Sequence, residues 1–444
     1  MKRFLILFLV CSLLVCGFSG CGQVPAETPD GMVETRPPLW TDSRVREPGD
    51  SGVTFLTAEE FLSDRVAEDV SAEFRTAYAD FALRLLSASK DSGGRLVSPL
   101  SVMTALQMVA NGAKDHTLEQ FERVLGGSLH AEDLNRELFN YYQSLTASAT
   151  RDARFEAANA VWMTNDENFK VAEEFIRVIS NTFDAQLAQA SFTDPKTVDA
   201  INDWCSRHTD GMIPKILDYD NVSANTIMVL LNAILFDALW QKPYEEYQCQ
   251  QAKFTTADGA KKDVTMMYSQ ESTYLKGEYE TGFVKNYKGG YAFVALLPKK
   301  GMSLDDYLAT LDGNRFVELM NGRKYASVKT GLPKFSFDWS ESLVDVLKGM
   351  GLTDCFDDAY SDLTGLGTYD PPASFVVSNV IHKTHIEVDE SGTRAAAVTA
   401  VVVDVKGSIE EKPYEVILDR PFVYAIVDTA NKLPVFIGTV TDPA

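Results

Sequence analysis

The sequence predicts an α+β fold built around a large mixed β-sheet. Segments with apolar residues at helical spacing concentrate in the first third of the chain, and segments with strand character concentrate in the last third. Between residues 70 and 442 no linker rich in Pro, Gly or Ser interrupts the chain, and the sequence has no internal repeat. We therefore expect one domain of unusual size.

Local signals place the individual elements. Residues 72–87 have apolar side chains at helical spacing, and a second helix over 100–110 follows Ser98 and Pro99 as N-cap and first residue. Further helices are predicted at 118–125, with Thr117 as its cap, and at 195–208. Strands are predicted at 155–163, 227–236, 290–297, 327–332, 374–389, 422–428 and 435–440.

Composition limits the class of protein and of partner. The chain has 444 residues with 45% hydrophobic and 11% aromatic content, which is enough to bury a large core. Its formal net charge of -22 argues against a nucleic-acid or heparin partner. The five histidines are scattered and form no metal-binding set, so we expect neither a metal nor a cofactor.

The N-terminus has the pattern of an export signal. Lys2 and Arg3 precede an apolar run over residues 4–15 that is too short to span a membrane. The run ends in Phe-Ser-Gly-Cys at 18–21, which resembles a bacterial lipobox with Cys21 as the lipidated residue. An ordinary signal peptide cut at another residue remains the alternative, because Phe18 stands where Leu is usual.

The domain prediction follows from this start. We expect a signal peptide at 1–20, a lipidated disordered tether at 21–69 and the folded domain at 70–444. The protein is then exported and is held at the cell surface, or outside the cell, by lipid on a bacterial membrane. Three cysteines remain in the domain, Cys205, Cys249 and Cys355, and we expect buried free thiols with at most one disulfide.

A segment of mostly small, uncharged residues follows the acidic residues near position 390, and its composition alternates along the chain. Every second residue from Thr393 to Val405 is Thr, Ala or Val, whereas the intervening set contains Arg394 and Asp404. This period of two gives one face suited to a core and one suited to water. The segment can therefore be an exposed loop in one state and a buried strand in another.

Several motifs in this order resemble the serpin family of suicide protease inhibitors, and together they span nearly the whole domain. The matching segments are LVSPLS at 96–101, NGAK at 111–114, ANAVW at 158–162, INDW at 201–204, TDGMI at 209–213, LLNAI at 230–234, LPKF at 332–335, IHK at 381–383, DESGT at 389–393 and RPF at 420–422. The resemblance implies the serpin fold, with a large mixed central sheet, further sheets, about eight or nine helices and an exposed reactive-centre loop.

The resemblance also assigns roles to polar residues. It implies a shutter, a polar cluster in the middle of the central sheet, formed by Ser98, Ser101, Asn232 and His382. It implies a breach, where the loop first enters the sheet, formed by Trp240, Lys334 and Glu390. Taken alone, His382 would indicate a hydrogen-bonded core histidine and Trp240 a core aromatic.

The hinge of the loop is expected at Glu390, Gly392, Thr393, Ala395, Ala396 and Ala397. Gly392 would provide freedom at positive φ and the absence of a side chain, and the alanines would allow insertion without steric conflict. Arg394 departs from the family pattern, in which an acidic residue is common. It falls on the solvent-facing set and should not block insertion.

The implied function is suicide inhibition of a trypsin-like serine protease, held as a covalent acyl complex, by a monomeric protein that is not itself an enzyme. Counting along the loop puts the scissile bond between Lys406 and Gly407, and Lys suits an acidic specificity pocket. A bond near Val405 or after Ser408 remains an alternative. Inhibition of elastase-like or cysteine proteases also stays open, as does a non-inhibitory carrier. No basic cluster occurs in residues 118–142, so no heparin cofactor is expected.

Overall fold

The structure is a computed structural model that describes residues 4–13, 53–56, 66–211, 213–393 and 413–443, with the backbone alone for 4–13. Nine α-helices occur in these ranges: α1 (Ala72–Ala88), α2 (Pro99–Ala110), α3 (Asp115–Leu125), α4 (Ala131–Ser148), α5 (Glu173–Phe183), α6 (Pro195–His208), α7 (Leu304–Leu308), α8 (Gly313–Asn321) and α9 (Val344–Gly349). The architecture is α+β with mixed sheets, as predicted.

The strands in the first half of the chain are β1 (Phe4–Leu13), β2 (Thr54–Leu56), β3 (Gly94–Val97), β4 (Ala153–Thr164), β5 (Phe169–Val171), β6 (Gln186–Ala190), β7 (Thr226–Leu239), β8 (Cys249–Thr255) and β9 (Lys261–Lys276). Those in the second half are β10 (Glu280–Asn286), β11 (Tyr291–Pro298), β12 (Lys324–Pro333), β13 (Phe335–Ser342), β14 (Gly367–Tyr369), β15 (Ser374–Val388), β16 (Gly392–Thr393), β17 (Tyr414–Ile417), β18 (Phe422–Asp428) and β19 (Pro434–Val440).

The central sheet contains the long strands β7 and β15. From one edge its order is β13, β15, then β1 and β16 in the same position, then β7, β4, β6 and β2. Strands β1 and β16 both pair with β7 and with β15. We call the space between β7 and β15 the slot, because the sheet has room there for one strand.

A second sheet of nine strands packs behind the first. Its order is β17, β12, β9, β10, β11, β18, β19 and β3, with β8 paired to β9, and β5 and β14 form a separate pair. Side chains of both sheets and of α1 and α2 form one large apolar core. Helix α2 is buried along its whole length, which explains why almost every one of its residues is small or apolar. A second apolar cluster lies between α6 and the central sheet.

Most predicted elements occur within a few residues of their expected ends. The exception is the start of α3, which begins at Asp115, so that Thr117 lies inside the helix and not at its cap. The hydroxyl of Thr117 accepts a hydrogen bond from the backbone N–H of Asp362. This tertiary contact, and not helix capping, accounts for a threonine at position 117.

Two strands lie in the segment that precedes the predicted domain. Strand β1, inside the predicted signal peptide, runs parallel to both β7 and β15 in the slot. Strand β2, inside the predicted tether, pairs with β6 at the sheet edge, and the ring of Phe55 packs edge-on against Trp162 at 5.9 Å. The tether prediction therefore does not describe residues 54–56, because an edge strand and a large apolar surface provide partners for them.

Candidate functional site

The four shutter residues are buried. Asn232 and His382 lie in the middle of the central sheet, whereas Ser98 and Ser101 lie at the start of α2. The backbone N–H of Ser98 donates to Nε2 of His382 at 3.0 Å, and Ser98 Oγ donates to the carbonyl of Val435 at 3.1 Å. Ser98 Oγ also accepts from the N–H of Ser101 at 3.3 Å, which caps α2 as the sequence predicts. The structure thus brings Ser98, Ser101 and His382 together.

Asn232 occupies the other side of the slot. Its Nδ2 donates to Oδ1 of Asn159 on β4 at 2.7 Å and to the hydroxyl of Tyr142 on α4 at 3.2 Å. Asn232 and His382 are at the same level of the sheet, because both pair with residue 11 of β1. Asn159 and Tyr142 thus join the predicted cluster, and of the two only Asn159 stands in one of the sequence motifs.

The breach residues hold the segment that leads into the loop. We call residues 389–391 the loop root. The backbone N–H of Trp240 donates to the carbonyl of Ser391 at 2.9 Å, and its indole Nε1 donates to the carbonyl of Asp389 at 2.8 Å. Trp240 is fully buried as well, so it is both a core aromatic and a contact of the loop root.

Lys334 and Glu390 form an ion pair at the same place, with 32% and 43% of their side chains exposed. Burial acts to raise the pKa of Glu390, but the hydrogen bond and the charge of Lys334 outweigh it, so this pKa lies below its usual value. The pair therefore stabilises the folded chain above the usual glutamate pKa, and this contribution is lost as the pH falls through the lowered value. Its exposure keeps the contribution small.

Asp389 shapes the turn between β15 and β16. Its Oδ1 accepts the backbone N–H groups of Ser391 at 2.7 Å and Gly392 at 3.1 Å, which is an Asx-type turn. Burial nevertheless raises the pKa of Asp389, and Glu390 and Glu387 add to this. The turn brings the chain back into the sheet.

Gly392 and Thr393 form β16 at the top of the slot. Thr393 pairs with Val388 on β15 and with Ala238 on β7, and its hydroxyl is hydrogen-bonded to that of Tyr287. Gly392 has no positive φ where it pairs as part of β16, and its predicted freedom at positive φ during hinge movement stays a prediction. Glycine is needed there because a Cβ would lie 2.2 Å from the carbonyl oxygen of Ala238.

A layer of aromatic and charged residues, which the sequence analysis missed, lies under the breach. The ring of Tyr287 stacks on Trp240 at 4.3 Å, and the N–H of Tyr244 donates to the carbonyl of Glu390 at 2.8 Å. Lys285 lies beneath Trp240 and Tyr244 and pairs with Glu271. No sequence signal marks Lys285, because an isolated lysine is usually a surface residue.

The structure leaves six of the predicted site residues without a described position. Ala395, Ala396, Ala397, Lys406, Gly407 and Cys21 lie outside the described residues.

All three domain cysteines have free thiols. Cys205 and Cys355 are buried, whereas Cys249 is half-buried, contrary to the expectation of three buried thiols. No cluster of potential metal ligands occurs in the described part of the chain, and no helix there is long and apolar enough to cross a membrane.

Comparisons with known proteins agree with this geometry. The family model described as Serpin (serine protease inhibitor) matches residues 76–443. Iripin-5 from Ixodes ricinus is 30% identical over 381 residues, which cover 83% of this chain and 94% of that protein.

Two solved structures are also similar. The native state of a thermophilic serpin, tengpin, has a TM-score of 0.80 and 36% identity, and the match covers 88% of this chain and 99% of that one. The complex of thyroxine-binding globulin with thyroxine has a TM-score of 0.71 at 22% identity, with 84% and 100% covered, a likeness that shows the fold alone.

The shutter gives a first prediction. Asn232→Ala removes the partner of the buried Asn159 Oδ1 and of the half-buried Tyr142 hydroxyl, so we expect the folded state to lose about 1–3 kcal/mol and the midpoint of thermal unfolding to fall. Asn225→Ala, at an exposed position just before β7, is the matched control and should change stability by less than about 0.5 kcal/mol. Equal midpoints for the two variants would contradict the assignment of Asn232 to the shutter.

The hinge gives a second prediction. Gly392→Ala places a Cβ against Ala238 O, so we expect the pairing of β16 to open and backbone amide exchange to accelerate in peptides covering residues 236–240 and 389–393. Gly349→Ala is the control, because a Cβ there meets no atom within 4 Å. Unchanged exchange in Gly392→Ala would show that the close approach of Ala238 O is not the reason for glycine at this position.

Proposed function

Because the chain belongs to the serpin family, we propose that it is a suicide inhibitor of a trypsin-like serine protease. The observation that carries the proposal is β16, the first two residues after the loop root, which pairs antiparallel with β7 and β15 at the top of the slot. A loop that begins in this register can continue as a strand down the same space.

The register of β16 predicts where each loop residue would lie after insertion. Thr393 is opposite Ala238 and Val388, and each further step along the loop moves one residue back along both strands. Thr399 would then lie opposite Asn232 and His382, at the level of the shutter. Residue 405 would lie opposite Thr226, the first residue of β7.

This length supports the bond between Lys406 and Gly407. The strand edge of β7 accommodates residues 393–405, so Lys406 would emerge just beyond its end, at the pole opposite the loop root. A protease joined to the carbonyl of Lys406 would be carried along the full length of β7. A bond after Ser408 would leave extra chain at that pole, and a bond at Val405 would leave less.

The covalent step follows the ordinary chemistry of a serine protease. The protease hydroxyl attacks the carbonyl of Lys406, the amine of Gly407 leaves, and an ester joins Lys406 to the protease. Insertion then adds about a dozen backbone hydrogen bonds at ~1 kcal/mol net each, with more from burial of Ala and Val at ~25 cal/mol per Å². This gain in stability opposes release of the trapped protease.

Insertion requires the slot that β1 fills. Residues 4–13 pair with the same segments of β7 and β15 that the loop needs, so the proposal requires their departure. Cleavage of the predicted signal peptide at residues 1–20 would remove this strand. The exported chain would then have a slot ready to receive its own loop.

We further propose that lipid on Cys21 anchors the protein to a membrane. Strand β2 enters the domain beside β6, with Thr54 opposite Gln189, near the end of the sheet remote from β16. The 31 residues between Cys21 and Val53 would span about 30 Å as a flexible chain. The tether would thus present the uncleaved loop to a protease on the side away from the membrane. After insertion, the trapped protease would lie at the pole where the tether enters the domain.

Inhibition is tested by mixing the purified exported protein with trypsin. We expect an SDS-stable complex and a released fragment beginning at Gly407, with Lys406→Ala abolishing the complex. Lys412→Ala, in the same loop segment, should leave it unchanged, since trypsin does not need this residue. Clean cleavage with trypsin still active would favour a non-inhibitory carrier. A complex with elastase or a cysteine protease alone would identify a different target class.

The anchor has an independent test. Cys21→Ser should move the protein from the membrane to the soluble fraction and remove the lipid mass from the N-terminal peptide, with trypsin trapping unchanged. Cys16→Ser, within the predicted signal but outside the lipobox position, is the matched control. Membrane retention of Cys21→Ser would contradict lipidation at this residue.

A further inference from the structure

A buried ion pair lies directly beneath the breach. The side chain of Lys285 on β10 is 2% exposed and that of Glu271 on β9 is 15% exposed, and Nζ of Lys285 lies 3.0 Å from Oε1 of Glu271. Lys285 also donates to the backbone carbonyl of Lys242 at 3.0 Å. The ammonium group therefore connects β9, β10 and the segment that follows β7.

Two aromatic rings enclose the same ammonium group. Nζ of Lys285 is 4.1 Å from the ring centroid of Tyr244 and 5.3 Å from that of Trp240. At these distances a desolvated cation is attracted to the π faces of both rings. Burial lowers the pKa of Lys285, while the charge of Glu271 and its hydrogen bond oppose that change.

The two rings belong to the residues that hold the loop root. The backbone N–H groups of Trp240 and Tyr244 donate to the carbonyls of Ser391 and Glu390, and the indole of Trp240 donates to that of Asp389. Three hydrogen bonds to the loop root thus come from residues whose side chains face one ammonium group. Lys334, by contrast, contacts the loop root directly and from a half-exposed position.

From this arrangement we propose that Lys285 is a positioning residue for loop insertion. Its ammonium group, fixed by Glu271, holds Trp240 and Tyr244 under the loop root and thereby sets how often the loop root opens. Loss of the cation would let the root detach more often, so that the intact loop inserts prematurely and less active inhibitor remains. The consequence for inhibition rests on the proposed function, whereas the effect on the loop root does not.

The test compares Lys285→Met with Lys288→Met in the purified protein. Lys288 follows the same strand but has a partly exposed ion pair with Asp152 at 3.1 Å, so it is a matched control. We expect amide exchange at Trp240 and Tyr244 to accelerate about tenfold in Lys285→Met, the size of one cation–π contact, and to stay unchanged in Lys288→Met.

A double variant separates positioning from simple stabilisation. Lys285→Met leaves Glu271, which is 15% exposed and accepts a hydrogen bond from Ser269 at 2.6 Å, without its cation, and this can destabilise the whole fold. Lys285→Met/Glu271→Leu removes both charges, so we expect the thermal midpoint to recover while amide exchange at Trp240 and Tyr244 stays fast. Recovery of slow exchange in the double variant, or equal exchange in the two lysine variants, would overturn the proposal.

Inhibition provides the final readout. After incubation at 37 °C, Lys285→Met and the double variant should lose trypsin-trapping capacity several-fold faster than wild type or Lys288→Met. If wild type traps no protease, the proposed function fails and the exchange experiment still decides the role of Lys285. If all four proteins lose capacity at one rate while exchange differs, Lys285 holds the root without controlling insertion, and the proposal is wrong.

Discussion

The facing edges of β7 and β15 are the constraint on which the rest of this structure depends. Each strand presents a row of backbone N–H and C=O groups that are costly to bury without partners. The chain supplies β16 at the top of the slot and β1 below it, so both edges are paired over most of their length. Removal of β1 would leave a long unsatisfied space, and the alternating segment after Thr393 has the composition to fill it.

The shutter shows how polar residues can stand in the middle of such a sheet. His382 is bonded to Ser98 at the start of α2, and Asn232 is bonded to Asn159 on the neighbouring strand. Each of these bonds joins partners on one side of the slot. Exchange of the strand between β7 and β15 therefore does not require these particular bonds to break, which lowers the cost of replacing β1 by another strand.

Sequence reasoning succeeded where the signal is local. Periodicity located most helices and strands, and the Ser98 cap of α2 follows from adjacent residues. It failed where the decisive partner is distant: Thr117 bonds a residue far along the chain, and Phe55 packs on Trp162, which lies on β4. The role of Gly392 was recognised, but its cause is the close approach of Ala238 O, which only the folded sheet reveals.

Two lysines at the breach illustrate how burial decides which charge matters. Lys334 and Glu390 form a half-exposed pair, a type worth ~0–1 kcal/mol and weakened by salt. Lys285 and Glu271 are mostly withdrawn from solvent, and removing one partner of such a pair costs about 3–5 kcal/mol because the other is left buried and charged. The exposed pair can guide the loop to its place, whereas the buried pair fixes the two aromatic residues that hold it. The hydrogen bonds that hold the loop root therefore depend more on Trp240, Tyr244 and Lys285 beneath it than on the Lys334–Glu390 ion pair that contacts it directly.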